Sequence, residues 1–158
     1  MRATTDLYDD FEETCVTCAI QFRDFGGRRR FFGSIRTVSC FHDNVLFRRM
    51  LEEPGNGAVI VVDGGGSTAI ALMGDMLAAR ARDNGWAGVV INGAVRDSTE
   101  IAGIDIGVKA LGVNPAKSAK KGEGETDVEL EFGGARFRPG DWVYCDEDGI
   151  LLSPDRLE

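Results

Sequence analysis

Histidine and positive charge are both scarce in this chain of 158 residues. It contains one histidine, which excludes His-rich zinc sites and any mechanism that needs two histidines. Lys and Arg number 18 against 26 Asp and Glu, so the formal net charge is −8. Because proteins bind nucleic acid through a basic surface, this composition argues against a DNA- or RNA-binding role.

Long apolar segments are also absent. The longest unbroken apolar stretch lies around Ala58–Val62, far below the roughly 18 residues that span a bilayer, so no membrane partner is expected. The first residues are acidic and have no apolar core, so no signal peptide is predicted and a cytoplasmic location is expected. With 43% apolar and 28% charged residues, the composition indicates one globular domain over residues 1–158.

Cysteine is too infrequent for a disulfide framework, at four residues in the chain. Cys15 and Cys18 form a Cys-x-x-Cys pair, to which Cys40 and His42 could add ligands in a redox or zinc site. No second Cys-x-x-Cys follows. The favoured interpretation is therefore small buried thiols in a reducing compartment.

The central segment has the pattern of strand, helix and strand. Ala58–Val62 and Gly88–Ile91 are short apolar runs, typical of strands buried on both faces of a sheet. Between them, the Ala-, Leu- and Arg-rich segment Asp75–Asn84 predicts a helix, and Asn92-Gly93 predicts a turn after the second strand. Because the flanking segments are rich in strand signals, the sequence predicts an α/β fold with a mixed central sheet.

Several common catalytic motifs are missing. No Gly-x-Gly-x-x-Gly links a strand to a helix, and the glycine run Asp63–Ser67 lacks the Gly-Lys-Ser/Thr of a phosphate loop. The sequence contains no Gly-x-Ser-x-Gly elbow, so it does not indicate a serine hydrolase. Basic loops at Arg28–Arg30 and at Lys117, Lys120 and Lys121 are either solvated or contact a substrate anion or a neighbouring subunit.

The start of the central helix is one candidate binding site. Ligands of open α/β sheets bind beyond the carboxyl ends of strands, and Gly74-Asp75-Met76-Leu77 opens a helix in that position. The first helical turn offers unpaired N–H groups and a positive dipole, and Gly74 leaves room for a ligand. A carboxylate or an enolate oxygen could bind there. The alternative is an ordinary helix start, with Asp75 favoured by the dipole.

Arg96-Asp97-Ser-Thr-Glu100, after the second buried strand, is a more specific candidate. Asp97 offers the hard oxygen ligand that Mg²⁺ or Mn²⁺ prefers, and Glu100, one helical turn on, could hold a metal-bound water. Arg96 presents a planar, permanently charged fork to a carboxylate or an enolate. The alternative is a helix-start Asp beside a surface Arg and Glu.

Short motifs spread over nearly the whole chain carry a family resemblance. They are Phe25-Gly-Gly-Arg28, Cys40-Phe-His-Asp-Asn44, Val61-Val-Asp-Gly-Gly-Gly-Ser67, Gly93-Ala-Val-Arg96, Ile104-Asp-Ile-Gly107, Phe132-Gly-Gly134, Pro139-Gly-Asp141 and Asp148-Gly-Ile150. In these motifs the chain resembles the regulator-of-ribonuclease-activity A (RraA-like) proteins, grouped with the 4-hydroxy-4-methyl-2-oxoglutarate aldolases. The resemblance implies a swivelling β/β/α domain similar to the phosphohistidine domain of pyruvate phosphate dikinase. It also implies a homo-oligomer, typically a trimer, with active sites between subunits.

Enzymatic members of this family share a sequence pattern. In it, an Asp is followed after twenty residues by Arg-Asp, and after two more residues by Glu or Asp. Asp75, Arg96, Asp97 and Glu100 fit that spacing. Ribonuclease regulators without aldolase activity depart from it at the Gly-Asp or the Arg-Asp pair, and this sequence keeps both. The resemblance therefore favours an enzyme. The methyltransferase name that also occurs in the family finds no support, because the glycine run lacks a Gly-x-Gly context.

The resemblance also implies the role of each residue. Gly74, Asp75, Met76 and Leu77 would bind substrate at the helix start, and Arg96 would contact it. Asp75 and Arg96 are the expected catalytic residues, Asp97 the ligand of Mg²⁺ or Mn²⁺, and Glu100 a ligand through water. The expected reaction is a divalent-metal-dependent cleavage of 4-hydroxy-4-methyl-2-oxoglutarate, a small 2-oxo acid, to two pyruvates through a pyruvate enolate, with oxaloacetate decarboxylation as a secondary activity. The alternative is a protein inhibitor of an endoribonuclease such as ribonuclease E.

Overall fold

A ten-stranded mixed sheet flanked by four helices forms the frame of the protein in a computed structural model, which describes residues 1–158. The helices are α1 (Thr4–Phe11), α2 (Val45–Leu51), α3 (Asp75–Asp83) and α4 (Ser98–Ala102). The strands are β1 (Val16–Thr17), β2 (Arg23–Asp24), β3 (Phe31–Ser39), β4 (Val59–Asp63), β5 (Ala71–Met73), β6 (Gly88–Val95), β7 (Gly107–Val113), β8 (Glu125–Thr126), β9 (Leu130–Phe132), β10 (Ala135–Phe137), β11 (Trp142–Asp146) and β12 (Gly149–Ser153).

The large sheet has the order β1-β12-β11-β3-β4-β6-β7-β2, and both ends of the chain contribute strands to it. Its centre, β3-β4-β6-β7, is parallel, and the outer strands are antiparallel. β5 pairs with β6, β8 pairs with β3, and β9 and β10 form a separate hairpin. The predicted α/β fold with a mixed sheet is thus confirmed. The likeness to the phosphohistidine domain stays a prediction.

The central strands are buried on both faces, as their apolar runs predict. One core of 22 buried residues packs α2 and α3 against one face of the sheet, and it contains Ile60, Val62 and Ile91. A second core of 14 residues lies on the other face under the β9–β10 hairpin and contains Val59, Val61 and Val90. Because successive strand residues point to opposite faces, each apolar run contributes to both cores.

The turn predicted at Asn92-Gly93 is wrong. β6 continues through these residues to Val95, and a further strand, β5, lies beside its end. Ala94 pairs with β5 on one side and with β7 on the other, so neighbours on both sides keep this segment extended. A register irregularity between Ile91 and Ala94 accommodates the Asn-Gly pair within the strand.

All four cysteines are free and buried, as expected. Cys15 and Cys18 pack in different apolar clusters, and no group of three His, Cys, Asp or Glu side chains could hold a metal ion. Burial raises the pKa of Cys40 to about 12, which keeps that thiol protonated and unreactive. No helix in the structure combines the length and apolar character needed to cross a bilayer.

Candidate active site

The ends of β5 and β6 bring the two predicted motifs together. The strands are parallel, with Met73 paired to Val95, so both reach the same edge of the sheet. A backbone hydrogen bond of 2.9 Å from Arg96 N–H to the Met73 carbonyl continues this pairing by one residue. The chain then enters α3 after Gly74 and α4 after Asp97. Residues 22 positions apart in the sequence therefore become neighbours.

Asp97 and the start of α3 are in direct contact. The backbone N–H of Asp75 donates a hydrogen bond of 3.2 Å to Oδ2 of Asp97. A Cβ atom on Gly74 would lie 2.5 Å from that same oxygen and 3.4 Å from Cγ of Arg96. Gly74 has extended backbone angles that any residue can adopt, so the close approach of Asp97 is what requires glycine here.

The backbone of Asp97 adopts a left-handed conformation, with φ 55° and ψ 42°. Few non-glycine residues adopt this conformation, although Asp and Asn do so more often than most. Asp97 occupies the N-cap position of α4, yet its side chain makes no capping hydrogen bond to that helix. It bonds α3 instead, and its exposed fraction of 38% leaves the carboxylate open to a ligand.

A cavity of about 220 Å³ opens at this edge of the sheet. Its wall combines five cationic side chains with two carboxylates, two further polar side chains and an apolar floor. The lining residues are Asn44, Arg48, Ala71, Leu72, Met73, Gly74, Asp75, Met76, Leu77, Arg80, Arg96, Asp97, Lys117, Ser118 and Lys120. Every predicted site residue except Glu100 is among them.

The N-terminus of α3 faces this cavity as predicted, with one difference. The first N–H that bonds back into the helix belongs to Ala78, which donates to the carbonyl of Gly74, so the three N–H groups before it have no intrahelical acceptor. Asp97 accepts from the first of them, at Asp75. The N–H groups of Met76 and Leu77, together with the helix dipole, are therefore the ones available to an anionic ligand.

Two acidic side chains of the cavity differ in their contacts. The Asp75 carboxylate has no hydrogen bond or ion pair within the chain, whereas the Asp97 carboxylate holds Asp75 N–H and lies 4.0 Å from Nε of Arg96. The guanidinium of Arg96 also donates a 3.4 Å hydrogen bond to the Pro115 carbonyl. Both oxygens of Asp75 therefore remain open to a ligand, whereas only Oδ1 of Asp97 does.

Lys120 and Asn44 also line the cavity. The sequence left open whether Lys120 is solvated or contacts a substrate anion, and it did not single out Asn44 as a site residue. Lys120 Nζ donates to Oδ1 of Asn44, whose Nδ2 donates 2.9 Å to the Leu72 carbonyl. Partial burial, followed by the positive charges of Arg48 and other cations, lowers the pKa of Lys120.

The sequence signal for these residues was present but ambiguous. Asp43-Asn44 predicts a helix cap, and Asp43 forms it, because its Oδ1 accepts a hydrogen bond of 3.0 Å from Val45 N–H. The other Asp43 oxygen accepts the N–H groups of residues 121–123, which fastens the loop carrying Lys117 and Lys120 to the start of α2. Nothing in the local sequence predicts this long-range contact.

Glu100 is exposed on α4 and does not line the cavity. It follows Asp97 by three residues, as predicted, but its side chain forms no hydrogen bond or ion pair with the other candidates. A role through water therefore stays a prediction.

The donor set fits a Mg²⁺- or Mn²⁺-type ion. Such hard cations keep several waters and are often bound through one or two carboxylates together with substrate oxygens. Asp97 offers an exposed carboxylate with Oδ1 free of hydrogen bonds, and substrate oxygens could complete the coordination sphere. No group of three His, Cys, Asp or Glu side chains within the chain could hold the ion by itself.

A cavity of about 250 Å³ lies elsewhere, between α1 and β12. Its buried cation, Lys109, is ion-paired with Asp24 at 3.0 Å. Unlike the cavity at the end of β6, it contains none of the predicted site residues. The β5–β6 edge is therefore the better candidate for catalysis.

Comparison with known families identifies the family of this chain. The family model RraA-like, described as Aldolase/RraA, matches residues 4–152. The chain belongs to the RraA-like family. A curated relative from Alkalilimnicola ehrlichii, named "Putative 4-hydroxy-4-methyl-2-oxoglutarate aldolase", is 56% identical over 154 residues, covering 98% of this chain and 96% of the relative.

Two solved structures of similar chains have closely similar folds. The RNA-processing inhibitor RraA from Thermus thermophilis is 49% identical, with a TM-score of 0.96 over 100% of this chain and 96% of that one. A Geobacillus kaustophilus protein named S-adenosylmethionine:2-dimethylmenaquinone methyltransferase is also 49% identical, with a TM-score of 0.97 over 99% and 97% of the two chains. Relatives within one fold therefore carry three different functional names, so the choice between them rests on the site.

Proposed function

We propose that this protein is a divalent-metal-dependent lyase that cleaves 4-hydroxy-4-methyl-2-oxoglutarate to two pyruvates, with oxaloacetate decarboxylation as a secondary activity. The observation that carries the proposal is the contact between Asp75 N–H and Asp97, which places Arg96, two carboxylates and a helix N-terminus around one cavity. The name of the Alkalilimnicola relative supports the choice of substrate. The proposed location is cytoplasmic and the proposed assembly is a homotrimer.

The residues at the end of β6 and the start of α3 would bind the 2-oxo acid end of the substrate. Arg96 pairs with the C1 carboxylate through its planar fork. The N–H groups of Met76 and Leu77 donate to oxygens that gain negative charge as the reaction proceeds. Asp97 would hold Mg²⁺ or Mn²⁺, with Glu100 assisting through water, and that ion supplies Lewis-acid polarisation of the 2-oxo group.

Asp75 would act as the base, because its carboxylate is half-buried at the cavity wall and has no partner within the chain. Asp75 accepts the proton of the C4 hydroxyl, and the C3–C4 bond then breaks. The electron pair of that bond moves onto C3 and the C2 carbonyl. The C4 fragment leaves as pyruvate, and the C1–C3 fragment is a pyruvate enolate. Protonation at C3 gives the second pyruvate. Loss of CO₂ from oxaloacetate forms the same enolate without a hydroxyl base.

The direct test is pyruvate formation by Asp97→Ala with Mg²⁺ present. We expect turnover to be lost while the circular dichroism spectrum and oligomeric state stay unchanged. The matched control is Asp155→Asn, an exposed carboxylate far along the chain with no ion pair, which should retain full turnover. Unchanged turnover in Asp97→Ala would remove this residue from the mechanism.

A second candidate function is inhibition of an endoribonuclease, such as ribonuclease E. It is favoured by the 49% identity to the RNA-processing inhibitor from Thermus and by the net charge of −8, which suits a basic, disordered protein segment. Binding of this kind should weaken with salt and should not respond to Asp97→Ala. The two functions are compatible, and both can hold for one protein.

A further inference from the structure

A further cavity, of about 400 Å³, lies at the opposite edge of the sheet from the candidate active site. It is lined by the start of β3 and by residues just before β4 and β6, which are the amino ends of these parallel strands. It shares no residue with the active-site cavity. Its volume falls in the range of about 300–1,000 Å³ that is usual for small-molecule sites.

The charged side chains on the wall of this cavity are all positive. Arg28, Arg30 and Arg156 line it, and none of its eleven lining residues is Asp or Glu. The chain as a whole has 26 acidic and 18 basic residues, so a wall with three arginines and no carboxylate is an uneven distribution of charge. This arginine cavity therefore favours an anionic ligand.

Two of the three arginines are held by exposed ion pairs with carboxylates that do not line the cavity. Arg28 Nε lies 3.0 Å from Oδ1 of Asp105, and Arg30 Nε lies 3.1 Å from Oε2 of Glu147. Because water screens such exposed pairs, they contribute little to stability. An anionic ligand can therefore compete with these carboxylates for both guanidinium groups.

Arg156 is held by aromatic rings and has no carboxylate partner. Its guanidinium carbon lies 5.1 Å from the ring centroid of Trp142 and 5.7 Å from that of Phe32, and both rings line the cavity. A guanidinium group is planar and stacks on aromatic rings. Since Arg156 is exposed, the face of its guanidinium turned away from the two rings is open to a further ring.

Strand pairing fixes the position of these rings. Trp142 and Tyr144 alternate along β11 and so point to one face of the sheet, and Tyr144 pairs with Phe32 across the ladder. The rings of Phe32 and Tyr144 stack with centroids 5.3 Å apart, and those of Phe32 and Trp142 lie 6.4 Å apart. The aromatic surface is therefore in place before any ligand binds.

We infer that the arginine cavity binds a nucleoside phosphate, with the base stacked against Arg156 and Trp142 and the phosphates paired with Arg28 and Arg30. The two parts of such a ligand match the two parts of the wall, because every base has a π-face and phosphate pairs bidentately with guanidinium. A free phosphate would use the arginines and leave the rings without a partner. This inference goes beyond the proposed reaction and does not depend on it.

Calorimetric titration of the wild-type oligomer with ADP tests the site. Excess chelator in the buffer prevents a divalent metal from bridging the ADP phosphates to Asp97. ADP should bind about tenfold more tightly than adenosine or pyrophosphate, since each of these carries half of the recognised chemistry. Arg30→Gln and Arg156→Gln should each weaken ADP binding by about five- to tenfold.

Two charge-matched variants are the controls. Arg29 lies between Arg28 and Arg30 in the sequence but does not line the cavity, so Arg29→Gln should leave ADP binding unchanged. Arg48→Gln, in the active-site cavity, should also have no effect. A loss confined to Arg48→Gln would place ADP in the active-site cavity, and equal losses in all four variants would show a response to overall charge. Either result would overturn the inference.

Tryptophan fluorescence provides a second, independent measurement. The chain has two tryptophans, and Trp86 is buried in the core beside α2 and α3, whereas Trp142 lines the arginine cavity. ADP should change the emission of the wild-type protein. Trp142→Phe keeps a ring beside Phe32, so it should retain ADP affinity within about threefold and lose the change in emission.

Three results would contradict the assignment. They are no binding of ADP by the wild-type protein, a change in emission that persists in Trp142→Phe, and binding of oligoadenylate in preference to ADP. The last would assign the rings and arginines to single-stranded nucleic acid instead of a free nucleotide.

Discussion

The backbone N–H of Asp75 and the carboxylate of Asp97 are 3.2 Å apart and hydrogen-bonded. This bond joins the start of α3 to the end of β6, and with it the two motifs that carry the proposed chemistry. It also fixes one oxygen of Asp97 and leaves the other open to a ligand. The account of the site therefore depends on how closely these two segments approach each other.

Gly74→Ala should disrupt that approach. The new methyl group would lie 2.5 Å from Oδ2 of Asp97, so the carboxylate and the helix start must separate. Since displacements near 1 Å cost catalysis on the order of 100-fold, we expect pyruvate formation to fall by about that factor. Thermal unfolding should change little, because Gly74 lies at the cavity and has ordinary backbone angles.

Gly112→Ala is the control for this substitution. Gly112 also lies in the parallel region, in β7, but a Cβ atom there would meet no atom within 4 Å. Activity should be retained. Equal activity in the two alanine variants would contradict the proposed contact.

The alkaline limit of activity should report on Lys120. Partial burial and the neighbouring charges of Arg48 and Arg96 lower its pKa from the ordinary value of 10.5. Its positive charge is therefore lost as pH rises through a value below 10.5, and substrate affinity should fall over that range. Lys120→Arg keeps its charge and should shift the fall in kcat/KM to higher pH. An unchanged alkaline limb in that variant would exclude Lys120 as its source.

Asp146 should stabilise the fold through a buried cluster of hydrogen bonds far from the active site. Its carboxylate accepts bonds of 2.7 Å from both Thr4 N–H and Thr4 Oγ1, and one of 3.0 Å from Asp148 N–H. Burial opposes ionisation, but these hydrogen bonds outweigh it and keep the pKa of Asp146 below its ordinary value of 3.8. Asp146→Asn should lower the free energy of unfolding by about 1–3 kcal/mol at pH 7.

The pH dependence of that loss has a definite sign. The pKa of Asp146 is lower in the folded state than in the unfolded state. Its contribution to the free energy of unfolding is therefore fully present at pH values above the unfolded-state pKa, and it is lost as the pH falls through the folded-state pKa. Urea unfolding should show a smaller difference between wild type and Asp146→Asn at pH 3 than at pH 7. Asp148→Asn, an exposed change in the same turn, should show no such trend.

Local sequence patterns were sufficient to predict the central strands and to place the candidate residues at their ends. Both faces of the sheet are covered at Ala58–Val62 and Gly88–Ile91, so nearly every residue of these segments is apolar. Such a continuous apolar run is visible in the local sequence. Asp75, Arg96 and Asp97, which the family resemblance groups by their spacing, come together because β5 and β6 end at the same edge of the sheet.

The rest of the site depends on long-range contacts. Asn92-Gly93 has the composition of a turn, but pairing with β7, and with β5 just beyond, holds the chain extended. Lys117 and Lys120 belong to a polar loop whose position is set by Asp43, some 78 residues earlier. No local pattern distinguishes such a loop from a solvated one, so the cationic wall could not be predicted.

The most direct test of the proposed activity is pyruvate formation by the wild-type oligomer from 4-hydroxy-4-methyl-2-oxoglutarate and from oxaloacetate, with Mg²⁺ and then with excess chelator. The account predicts that both acids are consumed and that both rates are lost on chelation and restored by added metal. No turnover of either acid by a well-folded oligomer, or rates that chelator leaves unchanged, would contradict it.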